Sequence, residues 1–399
     1  MNHKGHKEHE EELFFSFVLF VTSVVQKSLL DSANQMHRRL FIKNALTLTA
    51  IGLIGTGCTP SSHQMLVSAA RDSSDNHSIR LIDPYRDQST NIPVAERLHD
   101  ATLRPGTAEI VVFERRPGYR FYVIDAERAQ IYKSIPATNQ RHLYGHGVFS
   151  QNGKWLYTTE NNLRSLHGVI GIYNAERDYT RVGEWPLPSP GPHEIKMMPD
   201  GETLVIAVGG IKTHPDSGRK TLNPDSLQPS LIYLNRHSGQ IIDQQSFINP
   251  YLSIRHLDIA SDGTIAIGMQ HQGSNDEALP LVAVHQRGAP IQSIKALPEQ
   301  WLALNGYIAS VAVLSEADTI AVTSPRGNRI ALTQKSSGEL QSFIYQKDCA
   351  GLAKLDLNRL AISNGLGEIQ ILECFQGKAE KRQHIKHSNC RWDNHLLAI

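Results

Sequence analysis

The chain has 399 residues, a formal net charge of +1, and charged side chains at 20% of its positions. That balance gives no electrostatic footing for nucleic acid or for an acidic surface. Past residue 57 no apolar run approaches the length of a membrane span.

The first 57 residues read as an export segment. His37-Arg38-Arg39-Leu40-Phe41-Ile42-Lys43 resembles a twin-arginine motif, and the apolar stretch Ala45 to Gly57 that follows is too short to span a bilayer. A second apolar run, Phe14 to Val25, lies upstream behind a His- and Glu-rich leader. Met36 stands just ahead of the arginine pair and is the expected translation start; the competing reading is an N-terminal anchor helix. Leu53-Ile54-Gly55-Thr56-Gly57-Cys58 resembles a lipoprotein cleavage site, with Gly55 where leucine is usual, so a lipid on Cys58 is the one membrane attachment to expect. The expected organisation is a signal at 1–57, a linker at 58–64, a single repeat domain at 65–399, and a periplasmic location.

About 340 residues then remain, and they repeat. The first unit supplies strands at Met65 to Ala69 and Ile79 to Ile82. In the second, His99 precedes a Pro105-Gly106 turn, Ile110 to Phe113 and Phe121 to Ile124. The third holds His146, an Asn152-Gly153 hairpin turn, Trp155 to Thr159 and Val169 to Tyr173. The fourth begins at His193 and carries a long insertion, Gly209 to Pro229, before Leu231 to Leu234. His256 opens the fifth, which turns at Asp262-Gly263 and continues through Ile265 to Met269 and Leu281 to Val284. The sixth begins near Ser310, with Ile320 to Thr323 and Ile330 to Leu332. The seventh begins near Cys349, with Leu360 to Ser363 and Ile369 to Leu372. No convincing amphipathic helix interrupts them. Seven units of about 49 residues predict an all-β, seven-bladed β-propeller, whose radial sheets leave only short edges. The first unit lacks an innermost strand, and Asn394 to Ile399 is a spare one, so the C-terminal strand is expected to close the ring.

Aligned on their first turns, the units place His395, His99, His146, His193, His256, Ser310 and Cys349 in one column. The second strands return to the same face and end in Arg71, Glu114-Arg115, Glu160-Asn161, Gln270-His271 and Arg326. One reading is a site for an anionic ligand, for a metal-bearing ligand or for a transition metal, iron or copper, ligated by the five histidines with Cys349 favouring the softer metals. Glu160, Asn161, His214, His271 and Arg326 are then the further ligand-binding candidates. A lactonase-like hydrolase is the enzyme alternative, with Glu160 or a histidine as general base and Arg326 holding an anionic substrate. A protein-docking scaffold is the third reading, and structural hydrogen bonds of the WD-repeat kind would account for the histidines without a ligand. In an oxidising compartment Cys374 and Cys390 can pair, leaving Cys349 free.

Gly-His-Gly-Val-Phe-Ser at 145–150, Tyr-Thr-Thr-Glu-Asn at 157–161, Gly-Pro-His-Glu-Ile at 191–195, Thr-His-Pro-Asp at 213–216, Ser-Ile-Arg-His-Leu at 253–257, Thr-Ser-Pro-Arg-Gly at 323–327 and Trp-Asp-Asn-His-Leu at 392–396 carry a family resemblance. Through them nearly all of the mature chain resembles an exported bacterial family catalogued as domain of unknown function 1513. Cys349-Ala350-Gly351 departs from its pattern, where a glycine is expected after the cysteine. The resemblance implies a twin-arginine signal, propeller-like repeats and a role near periplasmic iron. Imelysin-like and di-haem proteins are the partners it implies.

Overall fold

Four antiparallel strands make each repeat a small sheet. In blade three Arg141–Phe149, Trp155–Asn162, Gly168–Asn174 and Thr180–Pro186 follow one another from axis to rim. The computed structural model describes residues 64–399 apart from Asp87, Arg219 and Asn275. The export motif, Met36 and Cys58 lie outside the described residues. Seven such sheets are present, so the chain is an all-β seven-bladed propeller. The innermost strands of blades two to seven are Leu98–Leu103, Arg141–Phe149, Pro192–Met197, Leu252–Ile259, Ser310–Leu314 and Cys349–Lys354. Each packs on its neighbours in order around the axis. Apolar residues fill the wedge between adjacent blades; Val111, Phe113, Phe121, Leu156 and Tyr173, for example, join blades two and three.

The ring closes as the spare strand requires. Leu397–Ala398 and Arg391–Trp392 pair with Leu66–Arg71, and Met65 and Ile399 exchange two backbone hydrogen bonds of 3.0 and 2.9 Å. Ser68 Oγ donates to the His395 carbonyl at 2.8 Å, which ties the column residue of blade one to the start of the domain.

Three features differ from the sequence reading. Each of the seven blades has an outer strand that the strand count missed, Gln88–Val94 in blade one included. Gln130–Pro136 shows why: it alternates exposed and half-buried residues, so its apolar signal is weak. A short helix, Pro298–Leu302, joins blades five and six and buries Trp301. Cys374 and Cys390, which the sequence leaves open to pairing, form no disulfide; Cys349, Cys374 and Cys390 are all free and buried. Cys374 packs between blades six and seven, whereas Cys390 packs between blades seven and one.

Two local devices position the site. Gly106, Gly153, Gly201 and Gly263 all have positive φ and close the turn after the first strand, which fixes the spacing from column residue to turn. The first strands of blades two to five also carry β-bulges at the column. The pairing register breaks between Leu98 and Ala101, Leu143 and Gly147, Pro192 and Ile195, and Ile254 and His256. A bulge re-aims side chains that a regular strand would send to alternate faces.

Candidate functional site

The bulges aim the column histidines of blades two to five at the axis, where the C-terminal segment places His395 beside them. Ring centroids of His99, His193 and His395 lie 4.8, 4.7 and 4.8 Å from that of His146, and His256 lies 4.8 Å from His193 and 5.2 Å from His395. One ring nitrogen from each of His99, His146 and His193 falls in a group whose members lie within 4.8 Å of one another. Gly145 makes part of this approach feasible. Its φ is +102°, and a Cβ there would sit 2.7 Å from the His99 ring.

Carboxylates hold two of the rings and face a third, each supplied by the preceding blade. Asp100 accepts from His146 Nδ1 at 2.9 Å, Glu194 accepts from His256 Nδ1 at 3.2 Å, and Asp393 faces His99 Nδ1 at 3.6 Å. A carboxylate only accepts, so Nδ1 of His146 and of His256 is the donor, and in the neutral form of each ring Nε2 keeps its lone pair. The Nε2 of His146 is buried and unpartnered, as are Nε2 of His395 and Nδ1 of His193.

Burial disfavours the charged form of four of the imidazoles. It pulls His99 down to about 3, against the opposing pull of Asp393, and it pushes His193, His256 and His395 below their usual value, helped by neighbouring histidines. The carboxyls behave differently. Burial opposes ionisation of Glu194, but Lys196 and His256 outweigh it; burial likewise opposes ionisation of Asp393, but His99, Arg115 and Arg97 outweigh it. Both stay below the usual carboxylate range, so the belt combines neutral rings with charged orienting groups.

Above the belt a cavity of about 330 Å³ opens toward the mouth. His99, His193 and His256 form its floor, and Arg115, Arg116, Arg255 and Arg326 line its sides. Tyr144, Tyr307 and Gln270 add polar groups. The blade-four insertion contributes Ile211, Thr213 and Thr221, so it is one wall of this cavity.

Of the other candidates, only Arg326 reaches the cavity. Glu160 is fully buried inside blade three, where Arg181 Nη2 donates to it at 2.8 Å, Thr158 Oγ1 at 2.7 Å and the Tyr173 hydroxyl at 3.1 Å. Its part as a general base at the mouth is therefore corrected to a structural one. Asn161, next along the strand, points the other way and donates to the Thr213 carbonyl at 3.2 Å, anchoring the insertion. His271 is buried outside the cavity while its neighbour Gln270 lines it. His214 accepts from the Asp216 amide at 3.3 Å and caps a short turn, Pro215–Ser217. Cys349 is not in the belt. It packs in the apolar core between blades six and seven, donates to the Ser324 carbonyl at 3.7 Å, and burial pushes its thiol up to about 12. Arg116, Arg255, Tyr144 and Tyr307 were missed; the one signal was Arg255, placed directly before a column histidine.

Fold and site together define a β-propeller with a histidine belt across its axis beneath an arginine-lined mouth. The chain belongs to the family described as "Protein of unknown function (DUF1513)", whose model matches residues 92–399. No curated protein matches the chain. Among solved structures it is similar to the hydrazine synthase of Kuenenia stuttgartiensis, with 15% identity over 77% of this chain and 80% of that one and a TM-score of 0.43. That similarity is too distant to bear on chemistry.

Proposed function

We propose that this propeller binds a transition-metal ion at the histidine belt, and that it serves metal acquisition on the exported side of the inner membrane. The observation that carries the reading is His146. Its Nε2 is buried without a partner while Asp100 holds its Nδ1, and His99 and His193 place nitrogens beside it. A ligand imidazole whose other nitrogen donates to a carboxylate is the usual arrangement around a metal. His99, His146 and His193 would hold the ion through one ring nitrogen each. An all-imidazole set suits iron, copper, zinc and nickel alike, and without Cys349 the softer end loses its advantage. Iron or copper remains the expected cargo, because the role near periplasmic iron comes from the family resemblance. Imelysin-like and di-haem proteins are the partners in this reading.

Titrating Fe(II), Cu(II) and Zn(II) into chelator-treated protein tests it. Wild type is expected to bind one of them, His146→Ala to lose most of that affinity, and His146→Ala/His99→Ala to lose little more, because the two share one ligand. Asp100→Asn should weaken binding by ~10–100-fold by releasing the His146 ring. Cys349→Ser should leave it unchanged. Equal, weak binding by wild type and His146→Ala would overturn the reading.

A further inference from the structure

The mouth has a chemistry that a metal in the belt does not explain. Arg255 occupies the bulge of the blade-five strand and is only 9% exposed. Its Nε has no hydrogen-bond partner, and among the described residues no carboxylate pairs with its guanidinium. Buried arginines ordinarily sit against a counter-charge, because an unpaired buried cation is costly.

The surroundings hold this side chain in place without neutralising it. A Cβ on Gly209 would come within 3.2 Å of Nε and of Cζ, so the start of the insertion lies flat against the guanidinium. Arg326 stacks over the Tyr307 ring at 4.5 Å, and Arg116 lies over the Tyr144 ring at 5.9 Å. Neither has an ion-pair partner among the described residues. Arg115 differs, since it pairs with Asp393 at 3.2 Å and belongs to the belt. No carboxylate lines the cavity among the described residues.

We infer that the mouth binds a small multivalent oxyanion, a polycarboxylate or a phosphate, with Arg255 as its anchor and Arg116 and Arg326 closing on it from the rim. The planar fork of arginine matches the paired oxygens of either group. A volume of about 330 Å³ holds roughly eleven waters at ~30 Å³ each, room for a tricarboxylate but not for a polymer. The inference stands on the arginines and holds whether or not a metal occupies the belt.

Calorimetric titration of the chelator-treated full chain with citrate and with inorganic phosphate, using chloride as control, tests it. One of the two anions is expected to bind, and whichever binds tighter identifies the source of the oxyanion. Arg255→Gln should weaken that binding by ~10–100-fold and Arg326→Gln, at the exposed rim, by severalfold. His146→Ala should leave it unchanged, which separates this site from the metal reading. The ligand-free melting temperature of Arg255→Gln should be equal to or above that of wild type, since the change removes a lone buried charge. The inference is overturned if neither anion binds at millimolar concentration. It is equally overturned if Arg255→Gln binds as well as wild type, if His146→Ala abolishes binding, or if the ligand-free Arg255→Gln protein is destabilised.

Discussion

Replacing Arg181 with methionine removes the guanidinium that faces Glu160 and leaves a fully buried carboxylate to two hydroxyl donors. Breaking a buried ion pair from one side costs about 3–5 kcal/mol. The lower end applies here, because Thr158 and Tyr173 still donate and Glu184 keeps its two bonds to Arg141 at 2.9 and 2.6 Å. Unfolding entropy of about 2.1 cal/mol/K per residue over the ~335-residue propeller gives about 0.7 kcal/mol/K. A loss of about 3 kcal/mol therefore lowers the melting temperature by about 4 °C. Adding Glu160→Gln to Arg181→Met should recover most of this, since the second change removes the stranded charge. Scanning calorimetry of wild type, both single variants and the double variant measures the coupling, and the titrations above measure ligand binding in the same proteins. Additive losses would refute the buried-pair argument. A Glu160→Gln protein with unchanged stability but lost ligand binding would restore Glu160 to the mouth chemistry.

Removing residues 391–399 should destabilise the domain far more than an ordinary tail, because it uncovers the Leu66–Arg71 edge and takes Trp392 and His395 with it; melting curves of full-length and truncated protein that coincide would argue against closure. Gly145→Ala forces a side chain at φ +102° into the His99 ring, so it should cost about 2–3 kcal/mol in urea denaturation and weaken metal binding together. Acid should destabilise the metal-free protein. Burial lowers His142 from 6.5 to about 4, so the unfolded chain takes up its proton first; its contribution is whole above pH 6.5 and falls by about 3 kcal/mol as pH drops toward 4. A flat stability profile between pH 7 and 4.5 would contradict this.

The propeller and the histidine column were legible because both are periodic. In blades two to five a positive-φ glycine closes the turn seven or eight positions after the column histidine, so the register of one blade can be laid on the next. The spare strand at 394–399 was legible for the same reason: it carries a column histidine where the first unit has none. What faced what was not legible. In a strand of period two, the assignment of Glu160 and Asn161 to opposite faces depends on register, and bulges in the partner strand shift that register. The orienting acids had a trace in the sequence, since Asp100 and Glu194 follow His99 and His193 directly. Their targets lie one blade further on, a relation that only the closed ring creates.

The two column positions that lack histidine bear on why the other five have it. Ser310 donates to the Asn394 carbonyl at 3.3 Å and Cys349 to the Ser324 carbonyl, so blades six and seven satisfy this position with a short side chain and a backbone acceptor. The fold therefore has an inexpensive solution for the column. Blades one, three and four instead leave a ring nitrogen of His395, His146 and His193 buried without a hydrogen-bond partner. Each such group costs about 1–3 kcal/mol when nothing meets it. Water in the channel would meet those nitrogens as well, but it would accept from or donate to either face of an imidazole. It would not require a carboxylate from the preceding blade to fix which nitrogen of His146 and His256 keeps its lone pair. A metal ion does require that choice, because it binds only the unprotonated nitrogen.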